Sequence, residues 1–286
     1  MTQFIAVSNR RGGVGKTTVS VMLAYGLAVL ARQRVLLIDL DAQASTSIVM
    51  MGHARWSEAR ASRRTNAWLL RQMANDAPFE AMDYVTHGIG DVVLPDGKAP
   101  ILDIMPSTHD LDECETKLII AQQSHHYQIS DLFLRMQERM RLMIRSFDGC
   151  YDRVVIDCAP GLSQLVWGAL KAADLALIPY IPDRTAEDNV GWLAGRLAEV
   201  AQTPFRTVPN RVSGQDRRAE GIIAALAEQF PSLDVRIPAT QALATALDFR
   251  EPAGSLASKF TRATDHVSRL VDAVLELPEC LATEAA

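Results

Sequence analysis

Seven short apolar runs recur along the chain, and longer segments with helical spacing of apolar residues separate them. Runs of this length, rich in Val, Ile and Leu, are typical of buried parallel strands that are joined by crossover helices. The predicted strands are FIAVS (4–8), RVLLID (34–39), ILDIMP (101–106), RVVIDC (153–158), DLALIPY (174–180), FRTVPN (205–210) and LDVRIP (233–238).

The helical patterns between these runs complete the predicted architecture. The spacing predicts a first helix over about 16–31, a long and interrupted helix over about 111–145, and a last helix over about 258–277. No repeat, low-complexity tract or linker rich in Gly, Pro or Ser divides the chain. We therefore expect an α/β fold, a doubly wound and mainly parallel sheet with helices on both faces, in a single domain over residues 1–286.

The composition narrows the class of protein. The chain has 286 residues, of which 48% are hydrophobic, and a net charge of −5, which argues against a protein that coats nucleic acid with its whole surface. No apolar run reaches the roughly 18 residues of a membrane span, and the first residues lead straight into a strand, so we expect a cytoplasmic protein. The four cysteines form no C-x-x-C pair, which gives no support to a metal centre built on them.

A glycine-rich segment, SNRRGGVGKTTVS, lies between the first predicted strand and the first predicted helix. In this position the pattern G-x-x-x-x-G-K-[ST] is typical of a P-loop, whose backbone N–H groups point inward at nucleotide phosphates. The glycines that allow this conformation are Gly12, Gly13 and Gly15. Lys16 and the positive end of the helix are predicted to meet the β- and γ-phosphates, and Thr17 is predicted to offer its hydroxyl to Mg²⁺. The first glycine of the pattern is missing, because position 10 is arginine.

Three aspartates lie at or just after the ends of predicted strands. Asp157 lies near the end of RVVIDC, and Asp39 and Asp41 lie at the end of the second predicted strand. The carboxyl ends of parallel strands share one edge of the sheet, and nucleotide hydrolysis needs carboxylates there for the metal and for the attacking water. Asp157 is therefore predicted to hold Mg²⁺ through water, and Asp39 is a further candidate for the metal site. The alternative for Asp41 and Asp157 is a structural role as caps of the helices that follow.

Five motifs, RRGGVGKTT, VLLIDLDAQAST, YDRVVIDCAPG, ADLALIPY and VPNRV, resemble in order and approximate spacing those of the ParA/MinD family of deviant Walker ATPases. In that family the residue at position 11 is a signature lysine that crosses the interface of an ATP-bound dimer and contacts the partner's phosphates. The resemblance implies this role in trans for Arg11, which keeps the charge and offers a planar fork to phosphate oxygens. The alternative is that Arg10 and Arg11 bind surface carboxylates or nucleic acid.

The same resemblance implies roles for other residues. Asp41 looks like the aspartate that orients the hydrolytic water, Asp157 like the Walker B acid, and Asn210 like the asparagine whose amide reads the adenine edge. The implied catalytic residues are Lys16, Asp41 and Arg11. The implied nucleotide-binding residues are Gly12, Gly13, Val14, Gly15, Lys16, Thr17, Thr18 and Asn210, and the implied metal-site residues are Thr17, Asp157 and Asp39.

The end of the sequence, LELPECLATEAA, lacks the basic amphipathic helix with which a MinD-like protein lies on a membrane. This favours the ParA branch without a membrane partner, in the short form that has no N-terminal DNA-reading domain, because the first strand begins at Phe4. For that branch the resemblance implies ATP and Mg²⁺ as cofactors, an ATP-bound homodimer, binding to double-stranded DNA of any sequence, and a ParB-like or equivalent cargo adaptor. It also implies a cytoplasmic, nucleoid-associated location.

DNA binding of this kind needs only a local strip of basic side chains, because counterion release from phosphates does not depend on base sequence. Relatives carry such residues in the C-terminal third. The candidates in this chain are Arg217, Arg218, Arg236, Arg250, Lys259 and Arg262. The neutral segment PATQAL replaces the arginine-containing PRNVR of relatives, which argues against DNA binding through that loop.

Three functions follow, of which a regulator that binds ATP but hardly hydrolyses it is disfavoured by the intact Lys16, Thr17, Asp41 and Asp157. The leading hypothesis is an ATP-dependent switch that positions a plasmid, a chromosome region or a large protein assembly. The alternative is an ATP-dependent ligase or synthetase of the same fold. Slow ATP hydrolysis that rises with DNA and a cargo protein favours the switch, whereas turnover that needs a small carboxylate or amine favours the enzyme.

Overall fold

The computed structural model describes residues 1–75, 77–123, 129–214 and 216–278, and its centre is a six-stranded parallel sheet. In chain order the strands are β1 (Gln3–Val7), β2 (Val35–Leu40), β3 (Val92–Val93), β4 (Leu102–Met105), β5 (Arg153–Cys158), β6 (Leu175–Tyr180), β7 (Phe205–Pro209) and β8 (Gly254–Ser255). The sheet order is β4-β2-β5-β1-β6-β7, and β3 and β8 form a separate short parallel pair.

Helices connect the strands. They are α1 (Lys16–Val29), α2 (Ser45–Ala61), α3 (Asn66–Ala74), α4 (Leu111–Gln123), α5 (Ile129–Arg145), α6 (Gln164–Ala172), α7 (Ala186–Arg196), α8 (Arg217–Gln229), α9 (Gln241–Ala246), α10 (Leu256–Phe260) and α11 (Thr264–Leu275). Among the described helices, none is both long enough and apolar enough to cross a bilayer.

Alternate residues of each central strand pack into two different cores. Phe4 and Leu36 face a core that is closed by α3 to α7, whereas Ile5 and Leu37 face a core that is closed by α1, α2 and α9 to α11. Both faces of the sheet are therefore dry, which explains why the strands are apolar throughout rather than alternating. This confirms the doubly wound α/β architecture that the hydrophobic pattern predicts.

The predicted strand at 233–238 is wrong. The segment runs beside β7 and makes separate backbone contacts, from Leu233 N to Thr207 O and from Ile237 N to Pro209 O, without forming a regular ladder. Pro231 and Pro238 bracket it, and proline cannot donate a ladder hydrogen bond. The segment runs irregularly along the outer side of β7. The other six predicted strands are confirmed.

The predicted last helix over 258–277 is also corrected. Thr261 has a φ of +48° and a ψ of −121°, a non-helical conformation that ends α10, and a short 3-10 turn (Thr261–Ala263) separates α10 from α11. The interruption predicted within 111–145 can fall only on the segment between α4 and α5, residues 124–128. Residues 124–128 between them, and 279–286 at the end of the chain, lie outside the described residues.

The helix pair α5 and α6 packs closely through Gly168. A Cβ at this position would lie 2.5 Å from Met140 Cβ and 2.8 Å from the carbonyl oxygen of Gln137. The obstacle includes backbone, so a side chain at Gly168 requires the two helices to separate.

We expect Gly168→Ala to lower the free energy of unfolding by about 1–3 kcal/mol, because overpacking forces backbone shifts. The matched control is Gly221→Ala in α8, where no atom lies within 4 Å of the added Cβ. This control should raise the free energy of unfolding by about 0.5–1 kcal/mol through helix propensity. Urea denaturation of both variants checks the pair, and equal stability of the two would contradict the close packing.

Candidate functional site

The loop between β1 and α1 has the backbone of a phosphate-binding loop. Gly13 and Gly15 have φ angles of +75° and +90°, which L side chains rarely adopt. At Gly15 a Cβ would also lie 2.0 Å from Asn210 Nδ2, so this glycine is required by its conformation and by its neighbour. The N-terminus of α1 follows directly, and its free N–H groups and positive dipole favour an anion here.

Lys16, at the first position of α1, is buried and points back along the loop. Its Nζ lies 3.3 Å from the carbonyl oxygen of Arg11. Burial lowers the pKa of Lys16, while the negative charge of Asp157 acts in the opposite direction. A poorly hydrated ammonium with three donors is suited to bind phosphate oxygens.

Asp157, at the end of β5, is the centre of a buried hydroxyl cluster. Its Oδ2 accepts a hydrogen bond from Thr17 Oγ1 at 2.8 Å and another from Thr46 Oγ1, and its Oδ1 accepts one from Ser20 Oγ at 2.9 Å. Burial raises the pKa of Asp157, and the hydroxyl bonds and the charge of Lys16 counteract this effect. The cluster brings together residues of β5, α1 and α2.

The oxygen donors at this point fit Mg²⁺, which prefers hard oxygen ligands and keeps several waters. Thr17 Oγ1 and the Asp157 carboxylate are adjacent at the loop, as the sequence predicts. Within the described ranges no group of three or more His, Cys, Asp or Glu side chains is arranged to bind a metal. A magnesium ion would therefore rely on phosphate oxygens and water besides these two side chains.

Asp39 and Asp157 are direct neighbours in the register of β2 and β5. Asp39 is fully buried, and its carboxylate accepts hydrogen bonds from Ser47 N at 2.8 Å, Ser47 Oγ at 2.6 Å and Asp41 N at 3.0 Å. Burial, with the nearby charge of Asp157, raises the pKa of Asp39 to about 7. Asp39 thus anchors the segment that carries Asp41, and its contacts with that segment occupy both carboxylate oxygens.

Asp41 lies at the same edge of the sheet as the loop and is only partly buried. Its Oδ1 accepts a hydrogen bond from Gln43 N at 2.9 Å, and its carbonyl accepts one from Ala44 N at 2.9 Å. Asp41 therefore occupies a tight turn between β2 and α2.

Both arginines that precede the glycines contact their own chain, Arg11 in the segment between β6 and α7 and Arg10 in α7 itself. Arg11 NH1 lies 2.5 Å from Asp183 Oδ2 and 2.9 Å from Thr185 Oγ1, and the Arg10 guanidinium stacks 5.0 Å from the ring centroid of Trp192. Burial of Asp183 acts to raise its carboxyl pKa, but hydrogen bonds from Arg11 and Thr185 outweigh this and lower the pKa. In this conformation Arg11 is bound to side chains of its own chain.

Asn210 lies at the end of β7 and touches the phosphate-binding loop. Its Nδ2 donates to the carbonyl oxygen of Val14 at 2.7 Å, its Oδ1 accepts from Arg211 N, and the residue is 2% exposed. Beside it lies a cavity of about 530 Å³, lined by residues that include Thr18, Asn210, Arg211, Pro238, Thr240 and Leu247. The cavity is adjacent to the loop, where the predicted adenine position requires space, and the PATQAL segment forms one of its walls.

The expectation that Lys259 contacts DNA is wrong. Lys259 is 2% exposed, and its Nζ lies 2.6 Å from Asp91 Oδ2. Asp91 also accepts a hydrogen bond from Tyr25 OH at 2.6 Å, which makes this a buried structural network behind α1. A strip of positive charge has to be exposed to meet phosphates, and Lys259 is not.

The other basic candidates differ in their availability. Arg250 donates to the carbonyl oxygens of Ser258 and Thr245, and Arg236 pairs with Glu220. Three candidates are exposed and form no ion pair with another described residue: Arg217, Arg218 and Arg262. Arg217 and Arg218 begin α8, close after the carboxyl end of β7.

Sequence reasoning missed three hydroxyl residues and one acid of the site: Ser20, Thr46, Ser47 and Asp183. The signal for Thr46 and Ser47 was the run STS directly after the DLDAQA segment, where side-chain donors follow two aspartates within eight positions. Asp183 had no such local signal, because it is 172 residues from Arg11.

Comparisons with known proteins agree with this geometry. A family model described as an AAA domain matches residues 2–208. The chromosome partitioning protein ParA of Myxococcus xanthus is 30% identical over 200 residues, which cover 70% of this chain and 59% of that protein. The sporulation initiation inhibitor protein Soj of Bacillus subtilis is 27% identical over 238 residues, which cover 83% of this chain and 78% of Soj. The match spans less than two thirds of the Myxococcus relative's length.

Solved structures share the fold. Apo McdA from Cyanothece has a TM-score of 0.72 at 19% identity, with 96% of this chain and 100% of McdA covered. Cobyrinic acid a,c-diamide synthase from Mycobacterium smegmatis, with bound ADP and magnesium, has a TM-score of 0.68 at 20% identity, with 96% and 94% covered. At these identities the likeness shows the fold alone.

We expect Asn210→Asp to weaken ATP binding by at least about tenfold, because the near-isosteric carboxylate cannot donate to the Val14 carbonyl and is itself buried. A fluorescent-nucleotide titration measures the affinity, and a thermal melt of the same sample shows whether the variant is folded. Unchanged affinity in a folded variant would mean that the contact with the loop is dispensable.

Proposed function

This chain belongs to the AAA domain family of ParA-type deviant Walker ATPases, and on that premise we propose that it is an ATP-dependent dimerising switch. In this proposal residues 1–286 act as one P-loop ATPase domain that binds DNA without sequence preference and positions a cargo. A partner protein of the ParB type, or its equivalent, stimulates hydrolysis. The observation that carries the proposal is the buried contact of Asp157 with Thr17, directly beside the glycine-rich loop and Lys16.

The nucleotide site supports ATP binding with Mg²⁺. The loop backbone and Lys16 bind phosphates, Thr17 and Asp157 hold the metal, and Asn210 lies between the loop and the cavity for the base. Bound Mg²⁺ would neutralise charge on the β- and γ-phosphates. Asp41, on the same edge, is proposed to orient the attacking water, with Asp39 holding its turn in place.

Dimerisation is proposed to follow from Arg11. Its side chain is 37% exposed, lies beside the loop, and carries the fork geometry that matches phosphate oxygens. To reach the nucleotide of a second copy it has to leave Asp183 and Thr185, so the trans contact replaces one charge-assisted bond with another. ATP supplies the negative charge that favours the exchange.

DNA binding is proposed for the exposed arginines at the start of α8, Arg217 and Arg218. They lie near the carboxyl end of β7, on the edge of the sheet that also carries the nucleotide loop. In a dimer any such strip is present twice, which adds phosphate contacts without a net positive charge on the protein. These properties support a cytoplasmic protein that associates with the nucleoid through DNA.

We expect the parent to dimerise with ATP and Mg²⁺ but not with ADP, and Arg11→Ala to raise the dissociation constant of that dimer at least about tenfold, because a charge-assisted contact is lost twice. Light scattering over a concentration series measures the constant. The control is Arg34→Ala, which removes an exposed arginine paired with Asp152 just before β2, on the opposite edge of the sheet. Equal dimerisation of the Arg11→Ala variant and the control would contradict the trans role.

We expect simultaneous Arg217→Glu and Arg218→Glu substitutions to weaken duplex DNA binding by about tenfold or more at low salt, because repulsion replaces phosphate contacts. ATP hydrolysis without DNA should stay at the parent level. The control, Arg32→Glu with Lys98→Glu, makes the same change in net charge at exposed positions that precede β2 and β4. A gel-shift titration in which both double variants bind like the parent removes this patch from the proposal.

A further inference from the structure

Thr46 connects the start of α2 to the carboxylate of the metal site. The residue is 0% exposed, and its Oγ1 donates to Asp157 Oδ2. The same carboxylate oxygen accepts the hydrogen bond from Thr17, the second residue of α1. One oxygen atom therefore joins the phosphate-binding helix to the helix that follows Asp41.

The turn that carries Asp41 is anchored at both ends by carboxylates. At its start, Asp41 N donates to Asp39 Oδ1, and at its end Ser47 donates to Asp39 Oδ2 while Thr46 donates to Asp157. Between the anchors Ala44 has a φ of +52°, a conformation that is unfavourable for a residue with a Cβ. Backbone strain of this kind persists only while the surrounding contacts hold it in place.

The hydrogen-bonding capacity of Asp157 is nearly used up. A carboxylate offers about four lone-pair sites, and hydroxyl groups of Thr17, Thr46 and Ser20 occupy three of them. Both sites of Oδ2 are taken, by Thr17 and Thr46, so a water molecule or ion drawn to this oxygen has to share or replace one of these two hydroxyl bonds. Thr17 and Ser20 belong to α1, whereas Thr46 belongs to the segment that holds Asp41.

We infer that Thr46 is a positioning residue whose hydroxyl makes the location of Asp41 depend on whether the adjacent phosphate and metal site is filled. This inference rests on the proposed ATPase function and deepens it. The role requires the hydroxyl group itself, because the shape of the side chain cannot transmit a change in hydrogen bonding. Thr46→Val keeps the shape and removes the hydroxyl, and Thr46→Ser keeps the hydroxyl.

Hydrogen exchange measured by mass spectrometry tests the inference without relying on turnover. Addition of ATP with Mg²⁺ should slow exchange in residues 41–52 of the parent and of Thr46→Ser, and should leave this segment unchanged in Thr46→Val. The comparison is made within each variant, so a general loss of stability cancels. The control is Thr203→Val, which removes a buried hydroxyl bond to the Leu170 carbonyl away from the site and should respond like the parent.

Steady-state kinetics give the second readout. We expect Thr46→Val to lower kcat at least about tenfold, because a displaced Asp41 no longer orients the water, while KM for ATP changes by less than about threefold, since the loop still binds phosphates. Thr46→Ser should recover most of kcat. If the role of Thr46 were only structural, Thr46→Val and Thr203→Val would lower stability alike. Neither variant would then lower kcat selectively over KM.

The outcomes distinguish a failure of the proposed function from a failure of the positioning role of Thr46 alone. If the parent does not bind ATP with Mg²⁺, the proposed function is overturned. If the parent binds and hydrolyses ATP but Thr46→Val behaves like it in exchange and in kcat, or Thr46→Ser fails as completely as Thr46→Val, only the positioning role is overturned. Parent protein that binds nucleotide without any change in exchange at 41–52 overturns it as well.

Discussion

The buried carboxylate of Asp157 is the constraint on which the site depends. An uncompensated charge in a dry core costs on the order of several kcal/mol, so the surrounding chain has to supply donors. Hydroxyl groups from α1 and α2 provide them, and the ammonium of Lys16 lies near enough to favour the charged form. The sheet, the glycine-rich loop and the segment after β2 are thereby fixed relative to one another around one side chain.

The segment that carries Asp41 is held by two neighbouring carboxyl groups. Asp39 and Asp157 stand side by side in the register of β2 and β5, and each holds one of two consecutive residues at the start of α2. Burial is the larger cause that raises the pKa of Asp39 to about 7, and the nearby charge of Asp157 adds to it. Any change of charge at this point affects both anchors of the turn.

Positive charge is used in two different ways in this chain. Arg11 is available at the edge of the sheet, where Asp183 holds it on the surface and a stronger anion can compete for it. Lys259 is committed to the interior, where its ion pair with Asp91 joins the C-terminal segment to the loop before β3. Sequence alone does not distinguish these uses, because the acidic partner of each cation is more than 150 positions away along the chain.

The sequence by itself determined the doubly wound sheet, the glycine-rich loop and the aspartates at strand ends, because hydrophobic periodicity and loop glycines act over a few residues. Only the tertiary structure decided the irregular course of 233–238, the burial of Lys259, and the partners of Arg11 and Asn210. Those outcomes depend on residues more than 150 positions apart for Lys259, Arg11 and Asn210, and on packing at the sheet edge for 233–238. The local sequence pattern does not indicate which distant side chain a residue will contact, because the packing of the helices on the sheet sets that partner.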